Sequence, residues 1–303
     1  MRASKAIADF LLSYRGSRSP QTIVWYERRL SALVSFVGDV DVATITIDDL
    51  RRWRAALCDR PTRYEDHPSG RRAEPGGLSP HTLHGYVRAA RHFFKWLEEE
   101  KSISANPARR LELPRLPRGI VKGVAQEDLR RILEAARRSG PRDHALAWFL
   151  YSTACRVAGA VNLRLDDLHL DRGLAYVHEK FSKTRAVFLL PEAVEAMRAW
   201  LEIRPALDDD HVFVGQRGPL KPSGLYQVMK RLAKGAGVRS GWNPHNWRHR
   251  RIRDLQANGM PLGVLSQYAG HASVDVTADV YGTLSEVELQ AVVHQYELPF
   301  PPK

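Results

Sequence analysis

Two stretches in the N-terminal third open with the same punctuation, Ser19-Pro20-Gln21-Thr22 and Ser79-Pro80-His81-Thr82, and each has a tyrosine seven residues after the serine, at Tyr26 and Tyr86. A serine before a proline is a helix start. The hydroxyl caps a free backbone N–H, and the proline sits in the first turn, where its missing N–H is not needed. After the first signal Ile23, Tyr26, Leu30, Leu33, Val34 and Val37 recur at helical spacing as far as Gly38. After the second, Leu83, Val87, Ala90, Phe94 and Leu97 make one apolar face that runs to about Glu100. With a further helix over residues 47–57, the pattern predicts a helical N-terminal domain built from similarly started helices, not a duplicated unit. Residues 59–78 carry prolines, glycines and charges without periodicity and predict a long exposed loop.

The stretch NPARRLELPRLPRG, Asn106 to Gly119, has three prolines, four arginines and no periodicity. It predicts a linker over 107–119 between a domain at 1–106 and another at 120–303. Beyond it Leu129, Ile132, Leu133 and Ala136 fall on one helical face, and Asp143 to Tyr151 reads as a largely buried helix. Residues 174–178 and 186–190 read as a β-hairpin around the basic turn EKFSKTR, and helices resume at Pro191. The expected fold is mainly α with a small β-sheet: an all-helical first domain followed by an α+β second one.

Lysine and arginine outnumber aspartate and glutamate by 46 to 34, a formal charge of +12. An excess of that size points to a polyanion, nucleic acid before a membrane surface. No stretch reaches the roughly 18 to 20 apolar residues of a membrane span, and the apolar run at the start is too short for a secretory signal. The two cysteines, Cys58 and Cys155, are far apart, which fits a reducing compartment and excludes a disulfide framework or a cysteine zinc module. A cytoplasmic, nucleoid-associated protein without a membrane partner is expected. Arg88, Arg91 and Lys95 lie off the apolar face of the second serine-proline helix and are candidate DNA contacts. The phosphate-loop, dinucleotide and zinc-protease patterns are missing, so no cofactor and no metal are expected.

What carries chemistry is a set of side chains in the second half. In Asn243-Pro244-His245-Asn246-Trp247-Arg248-His249 the proline begins a helix, and His245 and Arg248 project from one face near its positive end, a place that suits a phosphate. Gly270-His271 closes a short helix begun by Pro261, and Tyr281 follows ten residues later. Each signal alone is weak. Together and in this order they resemble the tyrosine recombinases of the phage integrase family. STACRVAGAVNLRLDDLHLD resembles the family's helix with its first arginine, EKFSKTRAVFL its basic hairpin, VFVGQRGPLKPSGLYQVMKRLAKGAGV its connecting segment, PHNWRH its histidine-arginine box, and AGHASVDVTADVYGTL the stretch with its second histidine and nucleophile. SPQTIVWY and SPHTLHGY resemble helix starts of its core-binding domain.

The resemblance implies a catalytic set of Arg156, Lys180, His245, Arg248, His271 and Tyr281, with Tyr281 as nucleophile. It implies DNA contacts from Lys183 and Arg185 in the hairpin turn; after the box the chain departs from the family's small and apolar residues, and Arg250 and Arg251 suggest extra contacts to the DNA backbone. The implied reaction is cleavage and rejoining of double-stranded DNA at paired recombination sites through a 3′-phosphotyrosyl intermediate, by a tetramer on DNA. Two guanidiniums suit the nonbridging oxygens of a phosphodiester under attack. A phenol of pKa about 10 needs a base, and the departing 5′ oxygen needs an acid, roles for His245 and Lys180. The family pattern has a glutamate where this chain has Gly159, so either another acid, Asp166 or Asp167, substitutes or the site is weakened. The tail after the nucleophile places Leu289, Val292, Val293 and Tyr296 on one apolar helical face. In the family such a tail docks on a neighbouring protomer and closes a ring. The competing readings are a helix-turn-helix regulator over residues 251–281, an integrase-like DNA binder without catalysis, and a type IB topoisomerase.

Overall fold

The computed structural model describes residues 1–63, 72–117, 123–179, 183–215, 218–270 and 273–281, with backbone alone at 179, 183, 276 and 279–281. The chain divides into two compact units, Met1–Arg118 and Gly119–Lys303. In the first, α1 (Ala3–Ser13) precedes the two helices that the serine-proline signals start, α2 (Pro20–Val37) and, after α3 (Ile47–Cys58), α4 (Pro80–Glu99). The caps form as the sequence requires: Ser19 Oγ accepts from the Thr22 N–H at 3.3 Å and Ser79 Oγ from the Thr82 N–H at 3.2 Å. The helices enclose a core in which Phe10, Leu30, Leu33, Leu50, Trp53, Phe93, Phe94 and Leu97 are buried. The expected α4 face is the buried one, with Val87, Ala90, Phe94 and Leu97 inside and Leu83 packed at the edge.

Two details differ from the sequence reading. The stretch read as loop contains a short antiparallel ribbon, β1 (Thr62–Arg63) with β2 (Glu74–Pro75), so the first unit is not wholly helical. The start of the presumed linker is part of the first core. Asn106 caps a single 3-10 turn, Pro107–Arg110, and Ala108 and Leu111 are fully buried among the helices. Prolines hid this because they break periodicity, while two apolar side chains suffice to anchor a turn.

The second unit opens with α5 (Gln126–Ser139), which buries Leu129, Ile132, Leu133 and Ala136 as its spacing predicts, and α6 (Pro141–Thr153). After α7 (Val157–Val161) comes an antiparallel sheet in the order β3 (Leu168–His169), β4 (Leu174–Glu179), β5 (Lys183–Phe188). β5 starts earlier than expected: Glu179 pairs with Lys183 and Val177 with Arg185, so Lys183 and Arg185 belong to a strand and not to the turn. Ala175, Val177, Val187 and Leu189 point into the core. Then follow α8 (Pro191–Ile203), a small pair β6 (Val214–Gly215) and β7 (Gly218–Pro219), and α9 (Pro222–Gly235). The last elements are α10 (Pro244–Ala257), α11 (Leu262–Ala269) and α12 (Val274–Tyr281). Ile252 of α10 and Leu265 and Ala269 of α11 pack with Ala154, at the end of α6, in a small core of their own. Among the described residues no helix is long and apolar enough to cross a membrane. The predicted tail face of Leu289, Val292, Val293 and Tyr296 lies outside the described residues.

Candidate active site

The site is built where α6 ends. Ala154 adopts the left-handed conformation, φ 48 and ψ 26, and turns the chain out of the helix. The Thr153 hydroxyl pins the corner, donating to the Phe149 carbonyl at 2.6 Å and accepting from the Cys155 N–H at 3.3 Å. Arg156 follows in extended backbone as the N-cap residue of α7, with its side chain exposed.

α10 reaches the same corner. Asn243 caps it, accepting from the Asn246 N–H at 3.1 Å, and Pro244 fills its first turn. Arg248 is 2% exposed. Its Nη1 donates to the Ala154 carbonyl at 2.6 Å and its Nη2 to the Ala269 carbonyl at 2.5 Å. One guanidinium therefore joins the corner before Arg156 to the end of α11, the helix that leads into His271. His245 stands one turn before Arg248, its ring 4.2 Å from the His249 ring between centroids. Its pKa is lowered, first by burial and then by the positive charges of Arg248 and Arg156. Arg156, distant in sequence, thus acts on the same imidazole as its helical neighbour Arg248. A neutral imidazole within the field of two guanidiniums is a proton acceptor beside a seat for an anion.

Of the remaining predicted catalytic residues, Lys180 and His271 lie outside the described residues. Tyr281 is the last residue of α12 and only its backbone is described. Ser266 Oγ of α11 donates to the Ser273 carbonyl at 3.1 Å, which ties α11 to the start of α12.

The predicted DNA contacts divide. Arg88 is exposed and its guanidinium lies 5.0 Å from the Trp25 ring centroid, Arg91 is half-buried, and Lys95 is exposed and pairs with Glu99 at 3.4 Å. The side chain of Lys183 lies outside the described residues. Arg185, Arg250 and Arg251 are turned inward. Arg185 Nη1 donates to the Tyr268 carbonyl at 2.6 Å. Arg250 grips Asp254 through Nε at 3.1 Å and Nη2 at 2.8 Å. Arg251 lies 5.5 Å from the Tyr151 ring centroid, and Tyr151 in turn donates to Asp254 at 3.1 Å. Arg250 and Arg251 thus have partners within the second unit, through Asp254 of α10 and Tyr151 of α6. The pairing with Asp254 was legible as an i, i+4 spacing on a helix.

At Gly159 the family's acid is replaced by packing: a Cβ there would lie 3.3 Å from the Val177 Cβ of β4. Asp166 is exposed. Asp167 reaches the hairpin instead. Its Oδ2 is 3.0 Å from His178 Nε2, whose Nδ1 is 2.8 Å from Thr184 Oγ1 across the strands.

The helix-turn-helix alternative fails on burial. Trp247, Arg248, Ile252, Arg253 and Gln256 of α10 are buried, and the eight residues of α11, LGVLSQYA, include no cation for a DNA groove.

Residues 122–287, more than half of the chain and all of this site, match the model of the phage integrase family. The chain belongs to the phage integrase family. Within that family it is 30% identical to the tyrosine recombinase XerD of Listeria monocytogenes serovar 1/2a over 297 residues, 95% of either protein. It is 29% identical to the tyrosine recombinase XerC of Salmonella typhi over 282 residues, 90% of this chain and 88% of that one. Its fold is that of integrases of known structure. The Tn1549 transposon integrase in complex with transposon right end DNA superposes with a TM-score of 0.77 at 17% identity, covering 97% of this chain and 99% of that one. A lambda integrase tetramer bound to a Holliday junction gives 0.71 at 14% identity over 94% of this chain and 80% of that one.

Proposed function

We propose that this protein is a site-specific DNA recombinase that cleaves and rejoins strands through a 3′-phosphotyrosyl intermediate, with Tyr281 as nucleophile. The observation that carries the reading is that Arg248 of α10, one turn after His245, is bonded to the Ala154 carbonyl at the corner that presents Arg156. The Tyr281 oxygen attacks phosphorus, the P–O5′ bond breaks, and the charge that grows on the nonbridging oxygens is met by the two guanidiniums. Because burial and neighbouring cations hold His245 unprotonated, it accepts the phenolic proton in cleavage and returns it in rejoining. Lys180 protonates the leaving 5′ oxygen and His271 donates to the phosphate, roles that rest on the sequence motif. The phosphotyrosyl bond stores the energy of the broken one, so rejoining to a second strand needs no nucleotide.

The substrate is double-stranded DNA with paired sites, and the working form is a tetramer on two duplexes. The first unit supplies core-binding contacts, with Arg88 and Arg91 among them, and the second unit carries the chemistry. Family membership supports this assignment, as does the excess of cations.

The test is covalent capture. A nicked duplex is selected from a randomised library by recovery on denatured protein, and the labelled peptide is mapped. The adduct is expected on Tyr281, and Tyr281→Phe should abolish it while leaving DNA affinity within about threefold, since only a hydroxyl is removed. An adduct on Tyr226 or Tyr296 overturns the assignment. Gly159 motivates a second reading, a DNA binder without catalysis, and failure to recover any adduct would favour it.

A further inference from the structure

We propose that Arg185 is a positioning residue of the cleavage site and not one of its DNA contacts, an inference that rests on the recombinase reading above. Arg185 is half-buried in β5, opposite Val177 of β4. Its Nη1 donates to the Tyr268 carbonyl at 2.6 Å, and the next carbonyl along, that of Ala269, accepts from Arg248 Nη2 at 2.5 Å. Two guanidiniums from two elements therefore hold consecutive carbonyls at the C-terminal end of α11. Helix ends leave such carbonyls without intrahelical partners and with partial negative charge, so cations are their natural complement.

The connection closes on itself. The Tyr268 hydroxyl donates to the Ser152 carbonyl at 2.6 Å in the last turn of α6, and the other Nη of Arg248 donates to the Ala154 carbonyl two residues further on. β5, the end of α11 and the corner that presents Arg156 are thus linked through Arg185, Tyr268 and Arg248. The phenol of Tyr268 is largely buried, which raises its pKa and keeps it a donor. The ring runs through Tyr268, Ser152, Ala154, Arg248 and Ala269, and the Arg185 bond ties β5 to it, which fixes the separation of the strand from the arginines that hold the phosphate. Loosening that tie displaces reacting groups without removing a contact to DNA. In sequence, β5 begins three residues after Lys180 and α11 ends two residues before His271, so the strand and helix that Arg185 joins lie next in the chain to two more residues of the proposed catalytic set.

A DNA contact and a positioning residue give opposite results when binding and cleavage are measured separately. The probe is the nicked duplex selected by covalent capture. The readings are equilibrium binding against salt, single-turnover adduct formation at saturating protein, and thermal melting. For Arg185→Gln the adduct should form at least about tenfold more slowly, as expected for misplaced reacting groups. Its binding at low salt and the slope of log K against log salt should stay unchanged. Arg185→Met, which keeps the aliphatic stem, serves in its place if the glutamine variant does not fold. Arg185→Lys, which can still donate to the Tyr268 carbonyl, should recover most of the rate.

Three results would overturn the proposal. One is a neutral variant whose salt slope falls by about 0.9 with the saturated rate intact, the mark of one lost phosphate contact. The second is a neutral variant that cleaves as fast as the unsubstituted protein, which leaves the recombinase reading standing. The third is a lysine variant as slow as the glutamine one. If the unsubstituted protein forms no adduct with any library duplex, the recombinase reading itself falls, and the proposal with it.

Discussion

Arg248 lies where a substrate-binding arginine is expected, yet two of its nitrogens donate to backbone carbonyls of the protein, those of Ala154 and Ala269, at 2.6 and 2.5 Å. Arg248→Ala should therefore unfold more easily as well as lose activity. Hydrogen bonds from a charged group contribute about 1.5–3 kcal/mol each, so the pair is worth about 3–6 kcal/mol, and the alanine leaves both carbonyls buried without the partner they had. Against a total stability of about 5–15 kcal/mol for a domain, that is a large fraction. Arg248→Lys can reach one carbonyl at most and should fall between the two. Tyr281→Phe serves as the control whose chemistry is removed at little cost in stability. The assay is urea unfolding of the three variants and the unsubstituted protein, followed by circular dichroism and tryptophan fluorescence, with Trp247 buried beside Arg248 in sequence as a local reporter. An Arg248→Ala transition that coincides with that of the unsubstituted protein would refute the reasoning. It would mean that the two backbone bonds contribute nothing net and that the guanidinium is held only for substrate.

Stability should also fall on acidification below about pH 6.5, the ordinary histidine value. His92, His144 and His245 all have lowered pKa values, with burial the largest cause in each. The folded chain therefore binds fewer protons than the unfolded one in that range, and the stabilisation present above the unfolded pKa is lost as pH falls through the folded values. His144 adds a geometric reason, since its Nε2 accepts from the Trp148 indole at 3.0 Å and must be unprotonated to do so. Melting temperatures between pH 8 and pH 5 check this, and a flat profile over roughly that interval contradicts it. In the first unit, Ser19→Ala and Ser79→Ala should each cost about 1 kcal/mol and by similar amounts, because the two caps have the same geometry. Urea midpoints that do not move would show that α2 and α4 are held by packing alone.

Helices were legible in the sequence wherever their starts are local. Ser19 and Ser79 announce α2 and α4 because capping involves residues three apart, and periodicity then marks the buried face. α1 carried no such signal. Arg2 precedes it with no side-chain cap, and it is held by Ala3, Ala6, Ile7 and Phe10 in the core. The sequence pattern starts β5 too late because the lysine and arginine at its start read as a turn. What makes them strand is pairing with β4, a contact that no single segment contains. The order of motifs likewise brings Arg156, His245 and Arg248 into one list, but not the left-handed Ala154 corner whose carbonyl accepts from Arg248 two residues before Arg156. A residue at positive φ other than glycine is recognisable only from the fold.

Charge was the least legible quantity, because a count of cations has no direction. His249-Arg250-Arg251-Ile252-Arg253 reads as a basic stripe on a helix surface, and in the fold α10 is packed against both α6 and α11, with Arg253 8% exposed. A cation can be held there only with a partner. Arg250 has Asp254, Arg251 has the Tyr151 ring, and Arg248 has two carbonyls. The same reasoning applies to Arg185 on its strand. Cations committed in this way still add to the net charge that attracts a polyanion from a distance, since the field depends on position more than on pairing geometry. Arg88, in the helical unit, and Arg156, at the corner of the candidate site, are exposed instead. The number of arginines therefore sets the long-range field, whereas their partners in the fold decide which of them brace α10 and the end of α11.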